Sequence, residues 1–172
     1  MRTTALALAA AALVGGLARA DEEKIALDKL PKPILETVQK RFPKAEITGA
    51  AKETEDGKTE YEVSLKDGDT RYDVMFSAEG VLTLIEKQIP FKDLPKAVTD
   101  AIQAKYPKAT YKIAEEMTKL TDGKEAIAYY EVLFETADKK FVEAEVAPDG
   151  KILKTEDKKS DKEDGDDKKD KK

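Results

Sequence analysis

Residues Glu22–Ala45 read EEKIALDKLPKPILETVQKRFPKA, and sixty-four positions later Glu86–Ala109 read EKQIPFKDLPKAVTDAIQAKYPKA. In that alignment Ile25 falls on Ile89, Leu27 on Phe91, Leu30-Pro31 on Leu94-Pro95, Val38 on Ile102 and Phe42-Pro43 on Tyr106-Pro107. A match of that length marks a duplicated unit. Inside each copy the apolar residues recur at helical spacing: Ile34, Leu35, Val38 and Phe42 in Lys32–Phe42, then Val98, Ala101, Ile102 and Tyr106 in Lys96–Tyr106. Pro31 and Pro95 suit a first helical turn, where a missing N–H costs nothing, and Pro43 and Pro107 stop each helix.

Beyond each helix the period changes from 3.6 to 2. Tyr61, Val63 and Leu65 alternate with polar residues, as do Tyr72, Val74 and Phe76. A strand carrying Ala45, Ile47 and Gly49 precedes them, and one carrying Leu82 and Leu84 follows, with bends at Asp56-Gly57, Asp67-Gly68 and Glu79-Gly80. The second copy repeats the pattern through Tyr111 and Ile113, Tyr130 to Phe134, Val142 to Val146, and Ile152. The expected fold class is therefore α+β: two tandem repeats, each a short helix packed on a four-stranded antiparallel sheet. Repeat 1 spans 21–88 and repeat 2 spans 89–156. A unit of about 65 residues is marginal by surface-to-volume scaling, so the halves are expected to stabilise each other.

The flanks read differently. Met1–Ala20 opens with Arg2, runs through an apolar stretch from Ala5 to Leu17 and closes on Ala18-Arg19-Ala20, the pattern of a secretory signal peptide. The apolar run is too short for a membrane anchor, which takes roughly 20 residues. Export to the periplasm or the exterior is expected. The last sixteen residues, 157–172, hold seven lysines, seven acids, one Ser and one Gly, with nothing apolar to bury, and are expected to be disordered. Asp161–Asp167 lacks the spacing of a calcium loop.

Composition excludes several functions. The chain has a net charge of −5, or −7 without Arg2 and Arg19, which argues against nucleic acid as a partner. It has no Cys, so packing alone must hold an exported fold. With neither His nor Cys, the commonest general base, the strongest nucleophile and the usual zinc ligands are all missing. Ser64 and Ser77 alternate with core residues on strands, without the sharp turn that exposes a catalytic serine. Carboxylate pairs such as Glu115-Glu116 and Glu143-Glu145 read most simply as solvated strand faces. No catalytic residue, cofactor or metal ligand is assigned.

The repeated Leu-Pro helix ending in Phe/Tyr-Pro, followed by Tyr61-Glu62-Val63, Asp67-Gly68 and Phe76-Ser77-Ala78-Glu79-Gly80-Val81-Leu82, resembles the PepSY-like, beta-lactamase-inhibitor-like family of exported bacterial proteins. Tyr130-Glu131-Val132 and Asp149-Gly150-Lys151-Ile152-Leu153 carry the resemblance in the second copy. It implies tandem helix-on-sheet units whose sheets join into a long curved surface. In the inhibitor that names the family, a concave surface and a projecting hairpin grip an enzyme; for PepSY proteins a role in restraining peptidases has been proposed. That namesake uses aromatic side chains and disulfides, whereas this chain has no Trp, no Cys and 6% aromatics.

The expected function is an exported, non-enzymatic protein-binding module acting on an envelope or secreted protein, a peptidase among the candidates. The alternative is a calcium-responsive periplasmic binding protein using exposed carboxylates. If the aromatic and aliphatic strand positions, Leu82 and Leu84 included, face the helices, alternation sends Glu62, Met75, Ile85, Tyr129, Glu131, Leu133, Glu145 and Leu153 to the opposite face. Apolar residues interleaved with Glu on a wet face resemble a contact patch. The first hairpin of the second copy is five residues longer than that of the first, so Thr118–Ala128, with Asp122 and Lys124 at its tip, is expected to protrude and contribute.

Overall fold

The computed structural model describes residues 23–55 and 58–158. The expected signal peptide, the Asp56-Gly57 bend and most of the expected tail lie outside these residues. The strands are β1 (Glu23–Lys24), β2 (Glu46–Glu55), β3 (Lys58–Asp67), β4 (Thr70–Ser77), β5 (Leu82–Gln88), β6 (Thr110–Thr121), β7 (Lys124–Glu135), β8 (Phe141–Val146) and β9 (Ile152–Lys158). Helix α1 (Lys32–Arg41) lies between β1 and β2, and α2 (Lys96–Lys105) between β5 and β6. Strand β9 runs two residues into the stretch expected to begin the tail.

All nine strands form one antiparallel sheet whose spatial order is the sequence order. This corrects the expected fold class: the copies do not each build a four-stranded sheet of their own. The reason is visible at the junction. Glu23 and Lys24 of β1 lie opposite Lys52 and Ala51, and sixty-four residues on, Lys87 and Gln88 of β5 lie opposite Glu116 and Glu115. Just beyond, Ile25 N–H donates to the Ala50 carbonyl at 3.0 Å and Ile89 N–H to the Ala114 carbonyl at 2.9 Å. The duplicated phrase thus opens each unit with the same register, but in the second copy the opening strand is also the closing strand of the first. Sharing β5 removes two sheet edges, with their unpaired N–H and C=O groups, from the middle of the molecule.

Both helices pack on one face. Ile34 and Val38 of α1 bury against Val63, Leu65, Val74, Phe76 and Ile85, while Val98 and Ile102 of α2 bury against Val132, Phe134, Val142 and Val146. Pro31 and Pro95 precede each helix in extended conformation. At the other end the N–H groups of Phe42 and Tyr106 return to the carbonyls of Val38 and Ile102, at 2.8 and 2.7 Å, and turn their rings onto the sheet. Phe42 meets Tyr72 at 5.5 Å and Tyr106 meets Phe134 at 4.9 Å between centroids.

Two details depart from simple alternation. A β-bulge lets Met75 lie opposite Leu84 and Phe76 opposite Leu82, with Thr83 unpaired. The extra residue flips the parity of β5, so Leu84 faces away from the helices and Ile85 faces them, 8% exposed in the first core. Ile85 is thereby corrected from contact candidate to core residue. The long β6–β7 hairpin turns through Asp122-Gly123, both at positive φ (51° and 73°), as a two-residue type I′ turn requires. Rather than projecting free, it leans back on the first unit: Leu120 packs on that core and Glu125 pairs with Arg41 at the end of α1.

Candidate functional site

The helices leave the other face of the sheet open, and strand register determines what meets there. Reading across neighbouring strands, one row runs Ser64, Asp73, Glu86, Met117, Tyr129. The next runs Gln88, Glu115, Glu131, Glu145, Lys154. On one side of these lie Glu62, Met75, Leu84 and Lys119; on the other, Ile113, Leu133, Glu143 and Glu156. Glu62, Met75, Tyr129, Glu131, Leu133 and Glu145 are therefore brought onto one surface, as alternation predicts. Leu153 stands apart at the bulge of β9, 48% exposed, and Asp122 and Lys124 lie at the hairpin tip.

The centre of this face is unusually dry. Met117 and Tyr129 are directly opposite each other and only 2% and 3% exposed, although neither belongs to the cores beneath the helices. The Tyr129 hydroxyl is buried without a hydrogen-bond partner among the described residues, and Lys119 Nζ lies 5.5 Å from the centre of its ring. Around them Met75, Leu84, Leu133 and the carboxylates are half-buried.

Desolvation dominates the electrostatics. Burial, with the charges of Asp73 and Glu143, pushes the Glu115 carboxyl up to about 7. Burial, with Glu143, Glu86, Glu115 and Glu145, pushes Glu131 up to about 8. The Tyr129 phenol is raised by burial and by Glu145, Glu131, Glu86 and Glu143. Some neighbours have partners of their own: Lys158 Nζ reaches Glu143 at 2.7 Å, Lys154 Nζ lies 4.0 Å from Glu145, and the Ser64 hydroxyl donates to Asp73 at 2.6 Å. No salt bridge or hydrogen bond of this kind reaches Glu115 or Glu131 among the described residues.

Glu115, Met117, Leu84, Glu86 and Glu143 were not expected as site residues. Period 2 puts Glu115 with Met117, but setting them opposite Glu131 and Tyr129 needs the register, which no local pattern supplies. A cavity of about 320 Å³ reaches the edge of this face at Ser64 and Asp73, and another of about 320 Å³ lies between the end of α1 and the β6–β7 hairpin. Neither is lined by Glu115, Glu131 or Tyr129. Among the described residues no group of three or more His, Cys, Asp or Glu side chains could hold a metal ion, and no helix is long and apolar enough to cross a membrane.

The family described as "Putative beta-lactamase-inhibitor-like, PepSY-like" matches the sequence twice, over residues 18–84 and 59–154. No curated protein matches in sequence. Among solved structures, a DUF2874 family protein from Bacteroides uniformis ATCC 8492 is similar with a TM-score of 0.59 and 15% identity, covering 74% of this chain and 89% of that one. A BLIP-like protein from Bacteroides fragilis NCTC 9343 is similar with a TM-score of 0.55 and 20% identity, covering 77% and 92%. A protein from Bacteroides eggerthii DSM 20697, described as "putative periplasmic", is similar with a TM-score of 0.59 and 13% identity, covering 74% and 88%. At these identities the likeness concerns the fold.

Proposed function

Because the chain belongs to the PepSY-like, beta-lactamase-inhibitor-like family, we propose that it is an exported, non-enzymatic module that binds another protein through the open face of its sheet. The observation that carries this reading is the dry centre of that face. Met117 and Tyr129 are buried there with no covering helix among the described residues, and Met75, Leu84 and Leu133 flank them. A solvated sheet face needs no such residues, whereas the core of a protein interface is built from large apolar and aromatic side chains within a polar rim.

Export is supported by the leader-like Met1–Ala20 and by the periplasmic description of a structural neighbour. A binding role is supported by the absence of His and Cys and by the hydrogen bond that ties Ser64 to Asp73. The partner is an envelope or secreted enzyme, with peptidases the first class to test. The calcium alternative draws no support from the described carboxylates, which lie in rows across the sheet and form no coordinating group.

The test is co-purification from envelope extract with the parent chain, a Leu84→Lys/Leu133→Lys variant and a control altered on the exposed side of α1, Lys40→Glu. A protein retained by parent and control but lost with the double variant is the expected outcome, with equal melting temperatures for all three. Retention by the double variant would contradict the reading.

A further inference from the structure

Glu115 and Glu131 face each other directly across β6 and β7, and Glu145 follows on β8. Like charges directly opposite are destabilising, and a polar residue such as Gln88, next in the same row, avoids the conflict. Lysines stand beside Glu145 and Glu143, but none reaches Glu115 or Glu131 within salt-bridge distance among the described residues. The second observation is independent of the acids. Tyr129, 3% exposed, lies within the field of Glu145, Glu131, Glu86 and Glu143, and its hydroxyl has no hydrogen-bond partner among the described residues. A buried polar atom left so is normally matched by something.

Resting on the protein-binding reading, we propose that the open face receives an arginine side chain projecting from the partner, its guanidinium set between Glu115 and Glu131 and against Tyr129. Adjacent strands are about 4.8 Å apart, so one planar fork with five N–H donors can serve both carboxylates and leave a donor for the Tyr129 oxygen. A lysine ammonium is a point charge and meets only part of this arrangement. The methylene stem would lie along the half-buried Leu133, on the same face. The side chains that bury the phenol must part to admit the guanidinium.

The proposal carries a pH signature. Glu131 is faced by Glu115 from β6, Glu86 from β5, and Glu143 and Glu145 from β8. From β9, Lys158 senses Glu131, while Lys154 and Glu156 lie beside Glu145 and Lys158; Lys119 sits over the Tyr129 ring. Burial first, and then the neighbouring acids, keep Glu131 and Glu115 protonated into the neutral range. Seating a guanidinium expels those protons, and affinity rises with pH.

The probe is the peptide acetyl-Gly-Arg-Gly-amide, with its citrulline counterpart as the uncharged isostere, titrated into the full chain and followed by backbone-amide NMR. The expected result is saturable shifts centred on Glu115, Tyr129 and Glu131, absent with citrulline, with affinity at least about tenfold greater at pH 9 than at pH 6. A Glu115→Gln/Glu131→Gln variant keeps the spectrum of the folded chain and loses the shifts. No saturable shift, an equal response to citrulline, equal binding by the double variant, or shifts spread evenly over other acidic surfaces would each overturn the inference. If the peptide fails while Leu84→Lys/Leu133→Lys still abolishes capture of a partner, the arginine falls and the protein-binding reading stands. If that variant also captures normally, both fall.

Discussion

Glu131 shows how one side chain can be set against the fold that holds it. Its carboxyl titrates near 8 against an ordinary value of 4.5, burial being the first cause. A folded state that holds a proton the unfolded chain has released is stabilised below about pH 4.5 and loses that contribution as pH rises through about 8. Glu115, raised to about 7, acts in the same direction. Glu135 acts in the opposite sense: hydrogen bonds from Lys112 and Lys139 hold it down at about 2, so its contribution is present above 4.5 and is lost as pH falls towards 2. Stability is therefore expected to decline between pH 5 and 9, and Glu131→Gln to raise the melting temperature at pH 9 by about 3 °C or more with little change at pH 5. Thermal melts across that range check it; an unchanged slope in the variant would count against a buried, protonated Glu131. The sequence already places Tyr129, Glu131 and Leu133 on one face by alternation. That Glu131 stands between two other glutamates depends on pairings to distant strands, and so was not legible.

At the scale of the element, the two copies share a turn that ties sheet to helix. Gly80 N–H donates to Ser77 and Gly150 N–H to Ala147, at 2.9 and 2.8 Å, and both glycines have positive φ. A Cβ on Gly150 would stand 2.6 Å from the Ala97 carbonyl oxygen in the first turn of α2, whereas Gly68, also at positive φ, has nothing within 4 Å. Gly150→Ala is expected to cost about 3 kcal/mol or more, and Gly68→Ala only about 1 kcal/mol, as read by urea denaturation. Equal costs would mean that backbone strain alone matters at Gly150. The helices were legible because Ile34, Val38, Val98 and Ile102 repeat at helical spacing and prolines bound each run. The bulge at Thr83 was not: nothing in Leu82–Ile85 marks an extra residue, and that one residue exchanges the faces of Leu84 and Ile85. Nor does the sequence show that the long β6–β7 hairpin folds back through Leu120 and Glu125 onto the first unit.

For the whole molecule, the duplication is legible but the seam is not, because Glu86–Gln88 belongs to both copies at once. A fragment 21–88 ends without the strand that covers β5, and a fragment 89–158 begins without its own opening strand. Neither is expected to melt cooperatively at the midpoint of the intact chain, and a fragment beginning at Leu82, which restores β5, should be more stable than one beginning at Ile89. Calorimetry of the three fragments checks the sharing of β5; equal stability of the last two would contradict it. The continuous sheet also makes the open face one surface, on which residues from β3 to β9 would meet the proposed partner together. The most direct measurement of that role is photo-crosslinking in the intact envelope, with a benzoylphenylalanine placed singly at Met75, Leu84 or Leu133 on the open face, or at Lys32 or Lys40 of α1 on the helix side. One partner band of common mass is expected from the three open-face positions and none from the two controls; crosslinks from the helix side alone would contradict binding through the open sheet.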